Sequence, residues 1–546
     1  MTLLETTVKE CLNNIVKQYA SQIALIESQS KKKTLSWQQL QQEVENVARG
    51  FLAIGLKKGD RLGIWSANSK EWIICFLAAA QIGVPVVCIN FHFKKRELLD
   101  LCRLTGIKAL CFSDGFKSND FIEVINCLAK KVTENKDVLP QLFISMGNKS
   151  AEKSVSLSQL KAISQTISEK EYQQAISQVS VKDLLTIQMT SGSTAMPKGV
   201  MLSQYNVINN AMLSAQRLGV THNDVICLAV PLFHCFGLSS CLFFALTTGC
   251  QLVLLDNYCA EDVLNVVQDY RCTVMHGVPT IFSRLMKHEQ FSHYDLSSLD
   301  KGIIAGASFP PALINEIENT LGMKGITVSY GQTEASPCCT QTLPNDALPI
   351  KRSSIGKPLP FVEMKIISPK TAKPVPVGIL GEICTRGFHV MMGYDNAPDK
   401  TKEALDEEGW LHTGDIGYVD EQGNYHYAYR MKEIVVRGGE NISLCEIEEA
   451  IAEYPGVDAT KAFGIPSVDL GEEVIATICV QKDCTLNESE LRAFLQERLA
   501  RYKIPKELHF FTQFPHTPCG KIDVQALKLQ LGYGVSIKDE KTKVAG

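Results

Sequence analysis

The sequence lacks an excess of basic residues and any internal repeat. Its 55 Lys and Arg face 59 Asp and Glu, which gives a formal net charge of −4. This balance gives no electrostatic reason to expect nucleic acid or an anionic membrane surface as a partner. No self-similarity appears at the period of a solenoid or propeller, so a repeat architecture is not expected.

Cysteine pairs are also missing. None of the 19 cysteines belongs to a C-x-x-C pair, the spacing typical of zinc sites and redox centres. Several lie inside apolar runs, as Cys75, Cys88, Cys241 and Cys479 do. Thiols in such runs predict reduced core residues in a cytoplasmic protein.

A secretory leader and an uninterrupted apolar span are missing too. The N-terminal MTLLETTVKE has an acidic first charge and no apolar core, so secretion is not expected. The most apolar window, Trp72–Asn90, is broken by Gln81, Gly83 and Pro85. It predicts a buried helix ending near Gln81 and a buried strand from Val84 to Ile89, rather than a transmembrane helix.

The pattern that is present predicts at least two domains, since 546 residues exceed what one core accommodates. β-branched runs alternate with amphipathic segments, which predicts an α/β domain of layered sheets. From Val375 to Tyr429 short strands between turns predict a small β-rich end, and an α+β module follows Arg430. We therefore expect domains at 1–430 and 431–531 and a disordered tail at 532–546.

The stretch from Thr190 to Val200, TSGSTAMPKGV, holds four hydroxyl side chains, two glycines and one lysine. Hydroxyls and bare backbone N–H groups can approach phosphate oxygens closely, and Lys198 adds a mobile positive charge. It is not a Walker A loop, because Gly199 follows the lysine where that motif has Ser or Thr. The stretch predicts a polyphosphate-binding loop or, by composition alone, a solvated turn.

A second group of small residues, Ala305-Gly306-Ala307, lies between a predicted strand and a helix begun by prolines. Small side chains let a planar ligand lie against the backbone. Close packing of a helix on a strand would require the same residues, so both interpretations stand.

Six stretches resemble, in order, the motifs of the adenylate-forming superfamily, which includes acyl-CoA synthetases, nonribosomal peptide adenylation domains and firefly luciferase. They are TSGSTAMPKG at 190–199, PLFHCFG at 231–237, YGQTE at 330–334, GWLHTGD at 409–415, YRMKE at 429–433 and TPCGKI at 517–522. Each is a common pattern alone, but all six in the family's order are specific, and the resemblance covers nearly the whole chain.

The resemblance implies a two-step reaction. A carboxylate attacks the α-phosphate of ATP to give an acyl-adenylate and pyrophosphate, and the thiol of CoA then displaces AMP. Activation is needed because a carboxylate would have to expel oxide, whereas the mixed anhydride expels AMP. Stabilising the negative charge that builds up in this transfer is mostly electrostatic work.

The resemblance also implies roles for single residues. Glu334 would hold Mg²⁺ with Thr333 beside it, Lys521 would contact the α-phosphate and the attacking carboxylate, and His234 would gate the acyl pocket. The implied nucleotide-binding residues are Thr190, Ser191, Gly192, Ser193, Thr194, Lys198, Gly306, Ala307, Tyr330, Gly331, Gln332, Asp415 and Arg430. Lys432 would be the hinge of a mobile C-terminal domain, and Gly438 and Gly439 would line the CoA tunnel.

The acyl group has more than one interpretation. RGGENISLCEIE resembles fatty-acyl CoA ligases, and no Asp or Glu lies between Ile226 and Leu255 to pair with a substrate ammonium. This favours a fatty acyl chain over an amino acid, with an aryl acid as an alternative.

Two other functions are alternatives to CoA ligation. The enzyme could load the thiol of a carrier protein, or the chain could be a nucleotide-binding scaffold without turnover. Only Ala195, in place of the family's usual glycine, and Tyr429, in place of Asp or Gly, favour the scaffold. Asp523 departs as well, from a region where basic residues are frequent.

Overall fold

The computed structural model describes residues 2–28, 33–132, 139–190, 197–255, 259–431, 434–437, 440–467, 470–517 and 520–533. The chain divides into two compact units. The first comprises Met1–Gly306, Ala312–Met364 and Cys384–His412, and the second comprises Ala307–Pro311, Lys365–Ile383 and Thr413–Gly546. The expected domain boundary at 430–431 stays a prediction, and most of the expected tail lies outside the described residues.

The first unit is built from helices packed on strands. Its helices are α1 (Val8–Tyr19), α2 (Trp37–Ala53), α3 (Lys70–Gln81), α4 (Lys95–Thr105), α5 (Phe121–Val132), α6 (Leu157–Ile163), α7 (Glu169–Ser177), α8 (Gln204–Leu218), α9 (Cys235–Gly237), α10 (Phe244–Thr248), α11 (Ala260–Asp269), α12 (Pro279–Met286), α13 (Ala312–Thr320), α14 (Leu348–Ser353) and α15 (Pro398–Ala404). Its strands are β1 (Ile23–Glu27), β2 (Lys33–Ser36), β3 (Leu62–Trp65), β4 (Val86–Ile89), β5 (Ala109–Phe112), β6 (Gly115–Phe116), β7 (Asn119–Asp120), β8 (Leu142–Ser145), β9 (Ser154–Ser156), β10 (Leu184–Thr190), β11 (Lys198–Ser203), β12 (Val225–Leu228), β13 (Gln251–Leu254), β14 (Val274–Met275), β15 (Lys301–Ile304), β16 (Gly325–Gly331), β17 (Cys338–Gln341), β18 (Lys357–Pro358) and β21 (Gly393–Tyr394). Between β18 and β21 the chain forms β19 (Val362–Ile367) and β20 (Gly381–Gly387), which pair in a sheet of the second unit.

Two large sheets organise this unit. The nine-stranded sheet has the order β18-β17-β16-β15-β14-β12-β13-β1-β2, and its strands from β16 to β1 are parallel. The eight-stranded sheet has the order β21-β11-β10-β4-β3-β5-β8-β9 and is parallel from β10 to β9. The α/β class with largely parallel sheets, expected from the sequence, is confirmed.

Local sequence sets where many helices begin. Several start with a Ser or Thr N-cap that bonds reciprocally with the residue three positions later. These N-caps are Thr7, Ser36, Ser156, Ser168 and Ser203. The apolar window also folds as predicted, with α3 ending at Gln81 and buried from Trp72, although β4 begins at Val86. No described helix is long and apolar enough to cross a membrane.

In the part of the chain that the structure describes, two sheets lie wholly or mostly in the second unit. The first has the order β19-β20-β22-β23, formed by β19 (Val362–Ile367), β20 (Gly381–Gly387), β22 (Leu411–Val419) and β23 (Tyr425–Arg430). The second is five-stranded and is formed by β24 (Ile434–Arg437), β25 (Glu440–Ser443), β26 (Val457–Ser467), β27 (Gly471–Val480) and β28 (Glu507–Phe511). The described helices beside them are α16 (Leu444–Ala452), α17 (Glu488–Gln496) and α18 (Val524–Gln530). Ile447 of α16, Ala476 of β27 and Leu491 of α17 are fully buried in one core. Helices and strands therefore pack together in this part, as expected of an α+β module.

Candidate active site

Four segments of the first unit follow parallel strands of the nine-stranded sheet. PLFHCFG follows β12, Gly306 follows β15 and YGQTE overlaps the end of β16, and a fourth segment, which the motifs do not include, begins at His276 after β14. The carboxyl ends of parallel strands lie along one edge of a sheet, where α/β proteins commonly bind ligands. Ala307, next to Gly306, belongs to the second unit.

The phosphate-loop candidate connects two antiparallel strands. Thr190 ends β10, Lys198 begins β11, and the two are register partners. The Thr190 Oγ1 also donates to the Lys198 carbonyl at 3.4 Å. Ser191, Gly192, Ser193 and Thr194 of the connection lie outside the described residues, as does the unusual Ala195.

Glu334 and Lys198 share a neighbour that no motif contains. Glu334 lies on a short 3₁₀ turn, Thr333–Ala335, just after β16. The Tyr394 hydroxyl donates to Glu334 Oε1 at 2.8 Å. The ammonium of Lys198 lies 4.6 Å from the centroid of the same Tyr394 ring, within the range of a cation–π contact. One tyrosine therefore joins the phosphate-loop lysine to the acidic residue of YGQTE.

The segment PLFHCFG contacts the same turn. The Cys235 sulfur lies 3.3 Å from the Oγ1 of Thr333, whose side chain is buried. His234 is the N-cap of α9, and its Nδ1 accepts the Phe236 N–H at 3.1 Å. His234 thus has a capping role of its own beside its expected role as a gate.

Two glycines of these motifs are required by backbone packing. A Cβ at Gly237 would lie 2.2 Å from the Pro231 carbonyl oxygen, and a Cβ at Gly331 would lie 1.8 Å from that of Pro337. Neither position accepts a larger residue without backbone movement. The preceding Tyr330 is paired with Thr340 of β17, and Gln332 is the N-cap of the 3₁₀ turn.

His276 lies in apolar surroundings near the same segment. Its imidazole is fully buried, with ring centroids 6.2 Å from Phe236 and 5.3 Å from Phe244. Nδ1 accepts the Ile303 N–H at 3.1 Å. Burial lowers the pKa of His276 to about 3, and the Ser240 backbone opposes this shift only partly. The imidazole is therefore neutral at physiological pH.

The second unit brings Asp415 and Arg430 together. They are register partners in β22 and β23, and Arg430 Nε lies 3.1 Å from Asp415 Oδ1. The Asp415 side chain is 8% exposed and that of Arg430 is 45% exposed. The pair therefore presents a buried carboxylate beside an accessible guanidinium.

Lys521 lies in an exposed position on a turn of the second unit. Its carbonyl accepts the Thr517 N–H at 2.6 Å, and its own N–H donates to Thr517 Oγ1 at 3.2 Å. Asp523, two residues later, is the N-cap of α18, which gives this departure from the family pattern a structural reason. Lys432, Gly438 and Gly439, the expected hinge and tunnel residues, lie outside the described residues.

Sequence reasoning missed Tyr394, the Cys235 contact with Thr333, and the ion pair of Arg61 with Asp395. Tyr394 is 60 residues from its partner Glu334, and Arg61 is 334 residues from Asp395. Cys235 lies inside a recognised motif, but the motif does not show that its thiol contacts Thr333, which is 98 residues away in the sequence. No local spacing connects residues so far apart.

Comparisons with known proteins match nearly the whole chain. The pattern of the AMP-binding enzyme family matches residues 12–395, and that of the AMP-binding enzyme C-terminal domain matches residues 446–521. The chain is 33% identical over 540 residues to the mitochondrial medium-chain acyl-CoA ligase ACSF2 of Homo sapiens, covering 96% of this chain and 87% of that protein. It is 35% identical over 501 residues to the acyl-CoA ligase sidI of Aspergillus fumigatus, covering 88% and 84%.

A solved structure shows the same fold. The crystal structure of ATP-bound MatB from Rhodopseudomonas palustris superposes with a TM-score of 0.82 at 25% identity, over 96% of this chain and 99% of that one. The resemblance expected from the six motifs is thereby confirmed, and with it ATP-dependent acyl activation followed by ligation to CoA. The chain belongs to the AMP-binding enzyme family, as an AMP-forming acid–CoA ligase of the acyl-CoA synthetase type.

Proposed function

We propose that this ligase acts on a medium- or long-chain aliphatic acid and that its adenylation step uses Mg²⁺ held at Glu334. The apolar residues around His234 and His276 support the first part, because Phe233 and Phe236 beside His234 and Phe244 beside His276 are all buried. The neutral His276 adds no charge to this region. The relative ACSF2 is a medium-chain acyl-CoA ligase by name.

The residues near Glu334 fit a magnesium ion. A carboxylate oxygen of Glu334 and the hydroxyl of Thr333 are hard oxygen donors of the kind Mg²⁺ prefers. When bound, the ion would neutralise charge on the phosphate oxygens of ATP. Lys198 supplies a compact ammonium on a flexible stem, suited to phosphate charge that moves between oxygens. The nucleotide-binding roles that the resemblance implies for residues 190–194, 306–307 and 330–332 belong to the same proposal.

In the second unit, we assign the ribose hydroxyls to Asp415. Its ion pair with Arg430 holds the carboxylate in one orientation, so that its oxygens can accept hydrogen bonds from the ribose. Lys521 contacts the α-phosphate and the attacking carboxylate in this proposal, and Lys432 is the hinge. The free thiols of the described cysteines support a reducing, cytoplasmic location.

The observation that carries the proposal is the contact of Lys198 and Glu334 with one tyrosine, which unites the phosphate loop and YGQTE. A pyrophosphate-release assay tests it across acetate, octanoate, palmitate, benzoate and an amino acid, each with and without CoA. We expect release to be fastest with octanoate or palmitate, to need CoA for sustained turnover and to stop when Mg²⁺ is chelated. A preference for benzoate or for the amino acid would contradict the proposed substrate class. Pyrophosphate release that does not depend on CoA, together with loading of a carrier protein, would contradict CoA as the acceptor.

A further inference from the structure

Tyr394 lies outside the six motifs and yet contacts two of them. Its hydroxyl engages Glu334 Oε1 at 2.8 Å, and its ring lies beneath the Lys198 ammonium, 4.6 Å from ring centroid to Nζ. The residue is 7% exposed. A buried tyrosine needs a partner for its hydroxyl, but a generic core partner would satisfy that need as well as Glu334 does.

The backbone around Tyr394 is held on several sides. Tyr394 in β21 is the register partner of Val200 in β11, and its N–H donates to Thr401 Oγ1 at 2.9 Å. The next residue, Asp395, donates its N–H to the Gly199 carbonyl at 2.7 Å. Its carboxylate, 4% exposed, forms a bidentate pair with Arg61 at 2.8 Å for both bonds. Tyr394 therefore has little freedom to move relative to β11.

A fixed hydroxyl can determine the direction of a carboxylate. Glu334 lies on a short turn and carries a side chain with three rotatable bonds, which would otherwise sample several orientations. The bond to Tyr394 engages Oε1 and leaves Oε2 outside it. The same ring offers the Lys198 ammonium a resting position at a set distance from that carboxylate.

We infer that Tyr394 is a positioning residue for adenylation, orienting Glu334 towards Mg·ATP through its hydroxyl and seating Lys198 on its ring. This inference rests on the proposed role of Glu334. It assigns separable effects to the two parts of one side chain. Loss of the hydroxyl disturbs the metal dependence of ATP binding, whereas loss of the ring also disturbs ATP binding at saturating metal.

Tyr394→Phe and Tyr394→Leu separate these effects. The matched control is Tyr172→Phe, because Tyr172 is a buried tyrosine of the same unit whose hydroxyl donates to Gln81 at 2.8 Å. Glu334→Gln is the reference for the metal site. For each full-length variant, ATP binding is measured by calorimetry over a series of Mg²⁺ concentrations, together with Tm and with KM and kcat for pyrophosphate release.

We expect Tyr394→Phe to raise the Mg²⁺ concentration for half-maximal ATP binding about fivefold, the effect of losing one hydrogen bond. Tyr172→Phe should leave that concentration unchanged. Tyr394→Leu should in addition weaken ATP binding at saturating Mg²⁺. If Tyr394→Phe behaves like Tyr172→Phe while Glu334→Gln shifts the Mg²⁺ dependence, the inference fails and the proposed metal site stands. If Glu334→Gln itself causes no shift, the metal site is wrong and the inference falls with it.

A double variant keeps the test decisive if Tyr394→Phe also lowers Tm. In the Glu334→Gln background, Tyr394→Phe should produce no further change in the Mg²⁺ dependence, because the hydroxyl acts through that carboxylate. An equal further shift in that background would show that Tyr394 acts independently of Glu334 and would overturn the inference.

Discussion

At the scale of single residues, burial sets the protonation state of His276. Its pKa is lowered from 6.5 to about 3 because the charged imidazole would lose its hydration. The folded protein therefore binds this proton less readily than the unfolded chain. The contribution of neutral His276 to the free energy of unfolding is therefore fully present above pH 6.5, and it is lost as the pH falls towards 3.

We predict that His276→Leu flattens the acid limb of the stability curve. Below about pH 6.5 the parent should lose up to about 1.4 kcal/mol per pH unit through this residue, a loss that the variant avoids. Urea unfolding at several values between pH 8 and pH 4.5 measures it, and the value at pH 8 reports the packing change alone. His389 is also buried, with its pKa lowered to about 3, so His389→Leu should flatten the curve additively. Parallel curves for His276→Leu and the parent would contradict the prediction.

At the scale of elements, helix α8 uses a buried polar face to hold β17 and its surroundings. The Asn210 side chain donates to the Cys338 carbonyl at 2.7 Å and accepts the Cys338 N–H at 3.1 Å. One turn further, Ser214 donates to Gln341 Oε1 at 2.8 Å and Arg217 donates to the Gln341 carbonyl at 3.0 Å. Residues four and three apart lie on one face of a helix, which here is polar because it satisfies a strand.

We predict that Asn210→Ala destabilises the protein by about 2 kcal/mol or more, since two buried backbone groups of Cys338 lose a partner. Urea unfolding followed by circular dichroism measures the change. The control is Gln216→Ala on the same helix, where the exposed side chain should contribute within about 0.5 kcal/mol. Equal effects of the two substitutions would show that the polar face is not what secures β17.

At the scale of the whole molecule, the two half-reactions place different demands on the chain. The first step builds negative charge at the α-phosphate, and in our proposal Lys521 contacts it. We predict that Lys521→Ala abolishes adenylate formation, at a cost of roughly 3 kcal/mol or more in the barrier. Conversion of supplied acyl-adenylate to the thioester should be largely preserved. Stopped reactions analysed for both products measure the two steps, and equal loss of both would refute the role.

In the second step the thiol must reach the acyl-adenylate, and one site can serve both steps only if the groups used for adenylation move away. The resemblance implies that the C-terminal domain makes this movement about a hinge at Lys432. Proline would fix one of the backbone dihedrals near φ ≈ −65°, so we predict that Lys432→Pro retains adenylation and strongly impairs thioester formation. Enzyme with trapped acyl-adenylate, detected by mass spectrometry, is the expected product. Normal CoA turnover would rule out a hinge here, and Lys432→Ala is the control for loss of the charge alone.

The sequence by itself determined most of the elements, because helix caps, breaks and side-chain periodicity act between near neighbours. Helix α3 ends at Gln81, where the apolar window is interrupted, and several helices begin at Ser or Thr caps. The alternation of β-branched runs with amphipathic segments predicted the α/β class. Six ordered motifs were enough for the family and its two-step chemistry. The start of β4 differed by two residues from its prediction, since the hydrogen bonds between strands decide where pairing begins.

Only the tertiary structure decided which side chains meet. Strand order sets Tyr394 against β11 and beside Glu334, and no periodicity in the sequence encodes that order. The ion pair of Arg61 with Asp395 and the contact of Cys235 with Thr333 arose in the same way. Local patterns specify helices and turns, because their hydrogen bonds span a few residues. They also indicate strands, because side chains alternate between the two faces along a single segment. The active-site neighbourhood depends on contacts between distant segments, and these exist only once the sheets have assembled.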